Sequence, residues 1–344
     1  MTTKVILVRD GFESREELQQ AAEIIRSGGL VVFPTETVYG LGGDATNEHS
    51  AEKIYAAKGR PSDNPLIIHI ATPEGAEPYA ETSEAYYRLA KAFMPGPLTV
   101  ILPRKQTIPL RTTGGLDTVA VRCPSHPVAR ELIKAAGVPI AAPSANLSGK
   151  PSPTCARHVI EDLSGRVDMI LDGGDSEIGL ESTIVSLNGN SATLLRPGAI
   201  TADALRCVCD DVTVAPAVLE QLAENERPLS PGMKYKHYAP SVPFVLLRGD
   251  SRKVLSFLQK EQQSKNCAIL CYHEEMEALE NKNVIDIGKS ENLDEQARRL
   301  FTALRDADKP GVDVIYGHLP TTDGIGLALY NRMLRAAAHT IVEV

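Results

Sequence analysis

Apolar residues recur at helical spacing near the start of the chain, from Leu18 to Ile25. Ser14 and Glu17 precede this run at the spacing of a capping box. The pair Gly28-Gly29 follows it, and glycine commonly ends a helix. The pattern therefore predicts a surface helix that ends at these glycines and leads into a strand over Leu30 to Phe33.

The pattern up to Arg196 alternates short strands with a few helices. Strands are predicted over Pro65 to Ile70, Leu98 to Leu102, Thr118 to Arg122, Pro139 to Ala142, Met169 to Leu171, Ser182 to Leu187 and Ala192 to Arg196. Helices are predicted over Ser50 to Lys58, Ser83 to Phe93 and His126 to Ala136. Because the strands outnumber the helices and the order is not a strict βαβ alternation, we expect an α/β fold with a twisted mixed sheet flanked by helices.

The pattern changes after Ala215. The stretch from Arg227 to Pro240 has three prolines and no apolar period, which is typical of a linker. Strands predicted at 244–247, 268–271, 284–287 and 314–316 then alternate with helical runs at 251–263, 293–307 and 325–338. This rhythm indicates a smaller, Rossmann-like parallel α/β domain. The expected division is a catalytic domain over 1–212, a linker or lid over 213–241 and a C-terminal domain over 242–344.

Length and composition fit this division. A chain of 344 residues exceeds the size of most single cores, and 43% hydrophobic with 23% charged residues is close to the globular average. Every apolar run is broken well before the roughly 20 residues of a membrane span, and the N-terminus lacks a signal-peptide pattern. We therefore expect no membrane segment and a cytoplasmic location. The six cysteines form no Cys-x-x-Cys pair, which favours reduced thiols over a structural zinc.

The net charge of -8 limits the possible partners. Residues 242–344 carry 13 Lys and Arg against 15 Asp and Glu, which leaves a net charge of -6 for the rest of the chain. Neither part is therefore a general binder of polyanions, and direct nucleic-acid binding is doubtful. A compact phosphate site remains possible, since a few converging cations are enough to hold one.

Polar residues where predicted strands and helices end are the candidates for chemistry. The two common nucleotide-binding fingerprints are missing from the sequence. Lys58-Gly59-Arg60 places two cations at what we expect to be an exposed helix end, whereas Ser144, Asn146 and Ser182 lie at strand ends. Each of these motifs also has a plain structural interpretation as a helix cap or a turn. Arg122 and Arg196 end apolar strands, and an anionic ligand would offset the cost of burying them.

Other candidate sites have less support. His69 interrupts an apolar strand, where a histidine is more often a hydrogen-bonded core residue than a ligand-binding one. Neither Ser144 nor Ser182 lies in a Gly-x-Ser-x-Gly elbow, which argues against a serine hydrolase. Asp172 and Asp175 flank two glycines, a pattern more typical of a turn than of a metal site. We therefore assign no metal ligands.

Several motifs in a fixed order resemble those of a known family. They are Phe33-Pro34-Thr35-Glu36-Thr37-Val38-Tyr39-Gly40-Leu41, Lys58-Gly59-Arg60-Pro61 with Asn64-Pro65-Leu66, Pro95-Gly96-Pro97-Leu98-Thr99, Ala142-Pro143-Ser144-Ala145-Asn146-Leu147-Ser148-Gly149, Glu181-Ser182-Thr183-Ile184-Val185 and Leu195-Arg196-Pro197-Gly198. Together with the linker from Ser230 to Pro240, they closely resemble the long, two-domain form of the YrdC-type threonylcarbamoyl-AMP synthases. The resemblance implies a YrdC-like sheet followed by the smaller domain.

The resemblance also implies an activity. Such enzymes are nucleotidyltransferases that convert L-threonine, bicarbonate and ATP to threonylcarbamoyl-AMP and pyrophosphate. The product feeds the tRNA threonylcarbamoyl-transfer machinery, which modifies the adenosine next to the anticodon. Mg²⁺ would arrive with ATP, in keeping with the missing carboxylate cage.

The family's site residues map onto this sequence by its motifs. Lys58 and Arg60 would be catalytic and would face the triphosphate. The nucleotide would also be held by Asn64, Thr118, Ser144, Asn146, Ser152, Arg196 and Tyr235. Threonine would contact Thr35, His69, Arg122, Ala142 and Ser182. Arg122 is the natural partner of its carboxylate.

Two alternatives stay open at this point. An O-carbamoyltransferase that uses carbamoyl phosphate can contain the same type of domain, although such proteins usually carry further modules. A double-stranded RNA-binding module would use Lys58, Arg60 and Arg196 on a concave face, which the charge balance disfavours.

Overall fold

The computed structural model describes residues 2–8, 14–220, 238–279 and 283–344. These residues divide into two compact units. Unit 1 comprises the described residues of Met1–Ser148, Pro153–Glu177 and Glu181–Lys234, and unit 2 comprises those of Gly149–Ser152, Ile178–Leu180 and Tyr235–Val344. The boundaries expected at 212 and 242 remain predictions, and residues 221–237 of the expected linker lie outside the described residues.

Unit 1 contains a large sheet and six α-helices among its described residues. The strands are β1 (Lys4–Leu7), β2 (Val31–Phe33), β3 (Gly40–Asp44), β4 (Ile67–His69), β5 (Leu98–Pro103), β6 (Thr118–Arg122), β7 (Ile140–Ala141), β8 (Met169–Asp172), β9 (Thr183–Asn188), β10 (Ser191–Arg196) and β11 (Val212–Val214). The helices are α1 (Arg15–Arg26), α2 (Glu48–Lys58), α3 (Glu84–Phe93), α4 (Pro127–Ala136), α5 (Ala156–Leu163) and α6 (Ala202–Arg206).

The sheet of unit 1 has the strand order β1-β8-β2-β3-β7-β4-β6-β5-β9-β10-β11. The sheet contains both parallel pairs, such as β4 with β6, and antiparallel pairs, such as β5 with β6. The predicted mixed sheet is therefore confirmed. Its central strands lie far apart in sequence, so each strand end that carries a candidate residue is placed by a long-range pairing.

Helix α1 shows how the apolar pattern builds the core. Leu18, Ala22 and Ile25 are buried, and they belong to one core cluster with Leu132 of α4 and Phe33 of β2. Burial of a leucine or isoleucine side chain contributes about 1.5–3 kcal/mol. This cluster fixes β2, and hence the loop that follows it, against the helical layer.

Some local expectations were wrong. Ser14 occupies the N-cap of α1, but its side chain makes no capping hydrogen bond with the described residues, so the capping-box spacing is not used. Gly40–Asp44 is a strand that the sequence pattern did not predict. Val212–Val214 is also a strand that the sequence pattern did not predict.

Unit 2 contains the predicted parallel sheet. Its strands are β12 (Phe244–Arg248), β13 (Cys267–Cys271), β14 (Val284–Asp286), β15 (Val314–His318) and β16 (Ile341–Glu343), and its helices are α7 (Ser251–Ser264), α8 (Leu293–Ala307) and α9 (Gly326–Ala336). The strand order is β14-β13-β15-β12-β16, and all four pairings are parallel. The βαβ rhythm predicted for the tail is confirmed, and β16 extends the sheet by a strand that the sequence pattern did not reveal.

Candidate active site

The registers of five neighbouring strands place several candidate residues in one row across the sheet. His69 pairs with Arg122, Arg122 pairs with Thr99, and Thr99 pairs with Ile184. Ile184 in turn pairs with Arg196. Residues that pair in register project from the same face of a sheet. The structure thus brings His69, Arg122 and Arg196, predicted from separate motifs, to one face.

The same face extends to three further candidates. Alternate residues of a strand share a face, so Thr118 lies on the side of Arg122. Ser182 directly precedes β9, and its Oγ lies 2.7 Å from Oγ1 of Thr99, which belongs to the row. Ala142 follows β7 directly, and its N–H donates to the carbonyl of Ile67 at 2.9 Å. The face therefore carries predicted threonine and nucleotide residues that lie at the ends of five strands.

An apolar floor lies beside this row. Ile67, Ala120, Ile184 and Leu195 form a small cluster, against which Ile101 packs. Ile67 and Ala120 each keep 6% of their surface exposed. A shallow apolar floor beside a polar row is the usual composition of a small-molecule site, in which the polar groups orient the ligand.

Arg122 forms a buried ion pair with Glu36. The Arg122 Nη2 atom donates to Glu36 Oε1 at 2.7 Å, and the two side chains are 5% and 3% exposed. Arg122 Nε and Glu36 Oε2 have no hydrogen-bond partner among the described residues. The carboxylate thus orients the guanidinium and leaves one of its donors for a further acceptor.

Glu36 was missed as a functional residue. The sequence pattern indicated an anionic ligand for Arg122, whereas its observed partner is an acidic residue of the chain itself. The signal was available, because Glu36 follows the buried strand β2 in the same way as the other candidates follow their strands.

Thr35 is buried, and its hydroxyl serves the loop after β2. Thr35 Oγ1 donates to the carbonyl of Val38 at 2.6 Å and accepts the N–H groups of Thr37 and Val38 at 3.2 Å. These bonds define the turn that carries Glu36. Contact between Thr35 and threonine remains a prediction, and the observed role of its hydroxyl is to shape the loop.

Ser182 is held by two neighbours. Its Oγ lies 2.7 Å from Thr99 Oγ1, and Arg196 Nη2 donates to the same Oγ at 3.1 Å. Arg196 Nε also donates to the Ser182 carbonyl at 3.0 Å. The Ser182 hydroxyl therefore has a fixed position beside a buried guanidinium. A group that recognises a ligand's hydroxyl by a hydrogen bond needs such a fixed position.

His69 is a buried, neutral histidine. Its Nδ1 atom lies 3.3 Å from the Ile140 carbonyl, and its ring meets Phe33 edge-on at a centroid distance of 5.9 Å. Burial, reinforced by the positive charge of Arg122, lowers the pKa of His69 from 6.5 to about 3. The imidazole is uncharged at neutral pH, so it offers hydrogen bonding without charge.

The low pKa of His69 predicts a pH dependence of stability. The unfolded chain takes up a proton below about pH 6.5, and the folded chain does not until about pH 3. The free energy of unfolding should therefore fall by about 1.4 kcal/mol for each pH unit below 6.5. Urea titrations between about pH 7 and about pH 5 would measure this change in the free energy of unfolding with pH. His69→Asn should remove most of the pH dependence.

His49 provides the matched control, because its side chain is 85% exposed at the start of α2. His49→Asn should leave the slope as in the wild-type protein. A His69→Asn variant that keeps the full slope would show that another group causes it.

Lys58 ends α2 and is buried, with 3% exposure. Its Nζ donates to the Ser144 carbonyl, to the Asn146 carbonyl at 2.7 Å and to Asn146 Oδ1 at 3.3 Å. The expectation of an exposed helix end is therefore wrong for Lys58, because the segment after β7 folds over it. Ser144 Oγ donates to the same Asn146 Oδ1 at 2.6 Å, which joins these predicted nucleotide residues into one cluster.

Arg60 and Asn64 lie on the turn after α2. Gly59 ends the helix with a φ of 63°, a conformation that glycine adopts without strain. Arg60 Nη2 donates to the carbonyls of Asn64 and Pro65 at 3.3 and 3.1 Å. Asn64 is buried, and its Oδ1 has no partner among the described residues. A buried acceptor without a donor costs about 1–3 kcal/mol, which a ligand could recover.

The segment from Ala142 to Asn146 connects the two groups of candidates. Ala142 lies on the face that carries His69 and Arg122, and Ser144 and Asn146 accept from Lys58. Phosphate-binding and amino-acid-binding candidates therefore share one short segment of chain in unit 1.

Two predicted nucleotide residues do not belong to the described part of unit 1. Ser152 is buried and belongs to the Gly149–Ser152 segment of unit 2. Tyr235 lies outside the described residues. The roles of both remain predictions.

In the described ranges, no group of three or more His, Cys, Asp or Glu side chains is arranged to hold a metal ion. None of the helices found there has the length and apolarity needed to span a membrane. Asp172 instead accepts the Gly174 N–H at 3.1 Å, as expected for a turn.

Two family models match the chain. Residues 23–198 match a model described as "Telomere recombination", which groups the Sua5, YciO and YrdC proteins. Residues 200–338 match a model described as "Threonylcarbamoyl-AMP synthase, C-terminal domain". Together the two models span both units.

Similar proteins cover the chain almost completely. Threonylcarbamoyl-AMP synthase of Pyrococcus abyssi is 43% identical over 99% of this chain and 100% of its own length. The enzyme of the same name from Bacillus subtilis is 44% identical over 95% of this chain and 94% of its own length. The crystal structure of P. abyssi Sua5 complexed with L-threonine superposes with a TM-score of 0.91, at 43% identity, over 99% of this chain and 100% of that one.

Proposed function

This chain belongs to the threonylcarbamoyl-AMP synthase family in its two-domain form, and from that premise we propose that it converts L-threonine, bicarbonate and ATP to threonylcarbamoyl-AMP and pyrophosphate. The proposal rests on one observation, which is that the segment from Ala142 to Asn146 connects two clusters of candidate residues. One cluster supplies the fixed cation of Lys58, and the other supplies Arg122 with an available donor. The amine of a bound amino acid and the phosphates of a bound nucleotide can therefore lie close together, on either side of this segment.

Threonine would bind on the sheet face. Its carboxylate would meet Arg122, whose orientation is set by Glu36. Its hydroxyl would meet Ser182, which Thr99 and Arg196 hold in place. Neutral His69 would add a hydrogen bond without repelling the substrate's ammonium group. P. abyssi Sua5 binds L-threonine in its crystal structure, which supports threonine as the amino acid here.

The chemistry would proceed in two bond-forming steps. The threonine amine, after losing a proton, attacks the carbon of bicarbonate, and loss of water leaves a carbamate. A carbamate oxygen then attacks the α-phosphorus of ATP, and the bond from that phosphorus to the β-phosphate oxygen breaks to release pyrophosphate. No residue of the chain has to act as a nucleophile, so orientation and charge stabilisation would supply the catalysis.

Lys58 and Arg60 would stabilise the departing pyrophosphate. Lys58 is held by three oxygen acceptors, so its charge requires little reorganisation during the reaction. Asn64 Oδ1 would gain a donor when the nucleotide binds. Mg²⁺ would enter as part of the ATP substrate. The product would then serve the modification of tRNA, and a cytoplasmic location stays a prediction of the sequence.

The test is an assay of pyrophosphate release with labelled bicarbonate. We expect label in a product that contains both AMP and threonine, and release only when all three substrates are present. Serine lacks the methyl group and valine lacks the hydroxyl, so serine should react poorly and valine more poorly still, because a site that binds a hydroxyl strongly rejects analogues without one.

The same assay separates the alternatives. Carbamoyl phosphate in place of bicarbonate and threonine should give no product, whereas an O-carbamoyltransferase would use it. Equal pyrophosphate release with threonine, serine and valine would contradict the threonine pocket at Ser182. Double-stranded RNA binding with a steep salt dependence, without pyrophosphate release, would favour the RNA-binding alternative.

A further inference from the structure

An open cavity of about 690 Å³ lies on unit 1, where the last turn of α1 meets α2. Its walls include the apolar residues Ile24, Leu30, Ala56 and Ala57. This volume lies within the range of small-molecule sites. The residues that line it include none of those assigned to threonine or ATP, so the cavity is separate from the candidate active site.

The two acidic side chains at the cavity each accept a hydrogen bond. Glu23 Oε2 pairs with Arg26 at 2.7 Å. Asp168 Oδ2 accepts the N–H of Leu30 at 2.8 Å. Glu23 therefore has a cationic partner on its own helix, and Asp168 is oriented by the backbone at Leu30.

The two cationic side chains at the cavity contact backbone carbonyls. Lys53 Nζ donates to the Gly28 carbonyl at 2.7 Å, and Arg166 Nη1 lies 3.4 Å from the Ala57 carbonyl. Both are exposed, and neither has a carboxylate partner in the part of the chain that the structure describes. Most of their N–H donors thus remain available beside an apolar wall.

We propose that this cavity binds a small molecule that has an apolar body and a single anionic head group. The body would lie against Ile24 and Leu30, and the head would meet Lys53 and Arg166. The ligand would contact α2 at Ala57, directly before Lys58. The proposal does not depend on the proposed enzymatic function, because it rests on lining residues with no assigned role in catalysis.

The experiment is a fluorescence titration of the full-length protein with anilinonaphthalene sulfonate, an apolar anion. Saturating ATP and threonine are present, so that the candidate active site is occupied. Lys53→Glu and Arg166→Glu should each weaken binding by about fivefold or more, as expected for loss of a partly exposed ion pair. Ala56→Trp, at an exposed position of α2, should fill the cavity and weaken binding by at least about tenfold.

Two controls make the result specific. Lys91→Glu, on the exposed side of α3, changes the net charge equally and should leave the affinity unchanged. Phenylnaphthylamine, which lacks the sulfonate, should bind weakly and should not respond to Lys53→Glu. Unchanged sulfonate binding in Ala56→Trp would overturn the site, and equal losses in Lys53→Glu and Lys91→Glu would overturn the role of the head group.

Discussion

Replacement of Lys58 by methionine is expected to lower kcat/KM for pyrophosphate release by about 10²–10³-fold, the usual effect of removing one preorganised group that stabilises developing charge. Methionine keeps much of the side chain's length, so the fall in kcat/KM measures the contribution of the positively charged ammonium group. The substitution also leaves the Ser144 and Asn146 carbonyls without their donor, which should cost about 1–3 kcal/mol of stability. Steady-state rates and circular dichroism at the same temperature would measure both effects.

Lys91→Met is the matched control, because Lys91 is exposed in the last turn of α3. It should keep the wild-type rate and stability. A folded Lys58→Met protein with the wild-type rate would contradict a catalytic role for Lys58. A rate that falls only in proportion to the unfolded fraction would make Lys58 a purely structural residue.

Replacement of Arg122 by methionine should lower the free energy of unfolding by about 3–5 kcal/mol, because Glu36 would remain buried without its partner. The same change should raise the KM for threonine by at least about tenfold, through loss of the carboxylate contact. Urea unfolding and threonine titrations of the pyrophosphate assay would measure the two effects separately.

A double variant distinguishes stability from binding. Glu36→Leu combined with Arg122→Met replaces both charges with apolar groups, which commonly restores most of the stability lost by breaking a buried pair. The KM for threonine should stay high in this variant. Recovery of both properties together would mean that Arg122 serves only the fold. Arg206→Met, which breaks a pair with side chains 53% and 79% exposed, should cost less than about 1 kcal/mol.

The apolar pattern predicted most of the fold because most elements bury one continuous face. Helix α1 is an example, since its buried positions repeat at helical spacing. Strand β3 escaped prediction because its sequence, Gly-Leu-Gly-Gly-Asp, looks like a loop. A side chain at Gly42 would come within 2.7 Å of Ile140 and 2.8 Å of Phe33, so the strand needs glycine to fit between its neighbours. Half of this crowding comes from Ile140, which lies about a hundred positions away along the chain.

The candidate site was predictable in its residue types and less so in its pairings. Arg122, Arg196 and Ser182 could be identified because they are polar residues at the ends of apolar strands. Burying a polar group there without a partner costs free energy, so such a residue indicates a partner or a ligand. Sequence alone does not show which buried charges meet, and Glu36 was therefore overlooked as the partner of Arg122. Nor does it show that a distant segment covers a helix end, which is why the burial of Lys58 came only from the structure.

The row from His69 to Arg196 has a consequence for how the protein folds. Its residues come from five strands spread over more than a third of the chain, and β4 meets β7 only across about 70 intervening residues. Contacts of such long separation form slowly, because the loop-closure entropy is lost before the contact is gained. During synthesis the row cannot be completed before β10 has left the ribosome, so a nascent chain remains without this binding surface until nearly the whole of unit 1 is available.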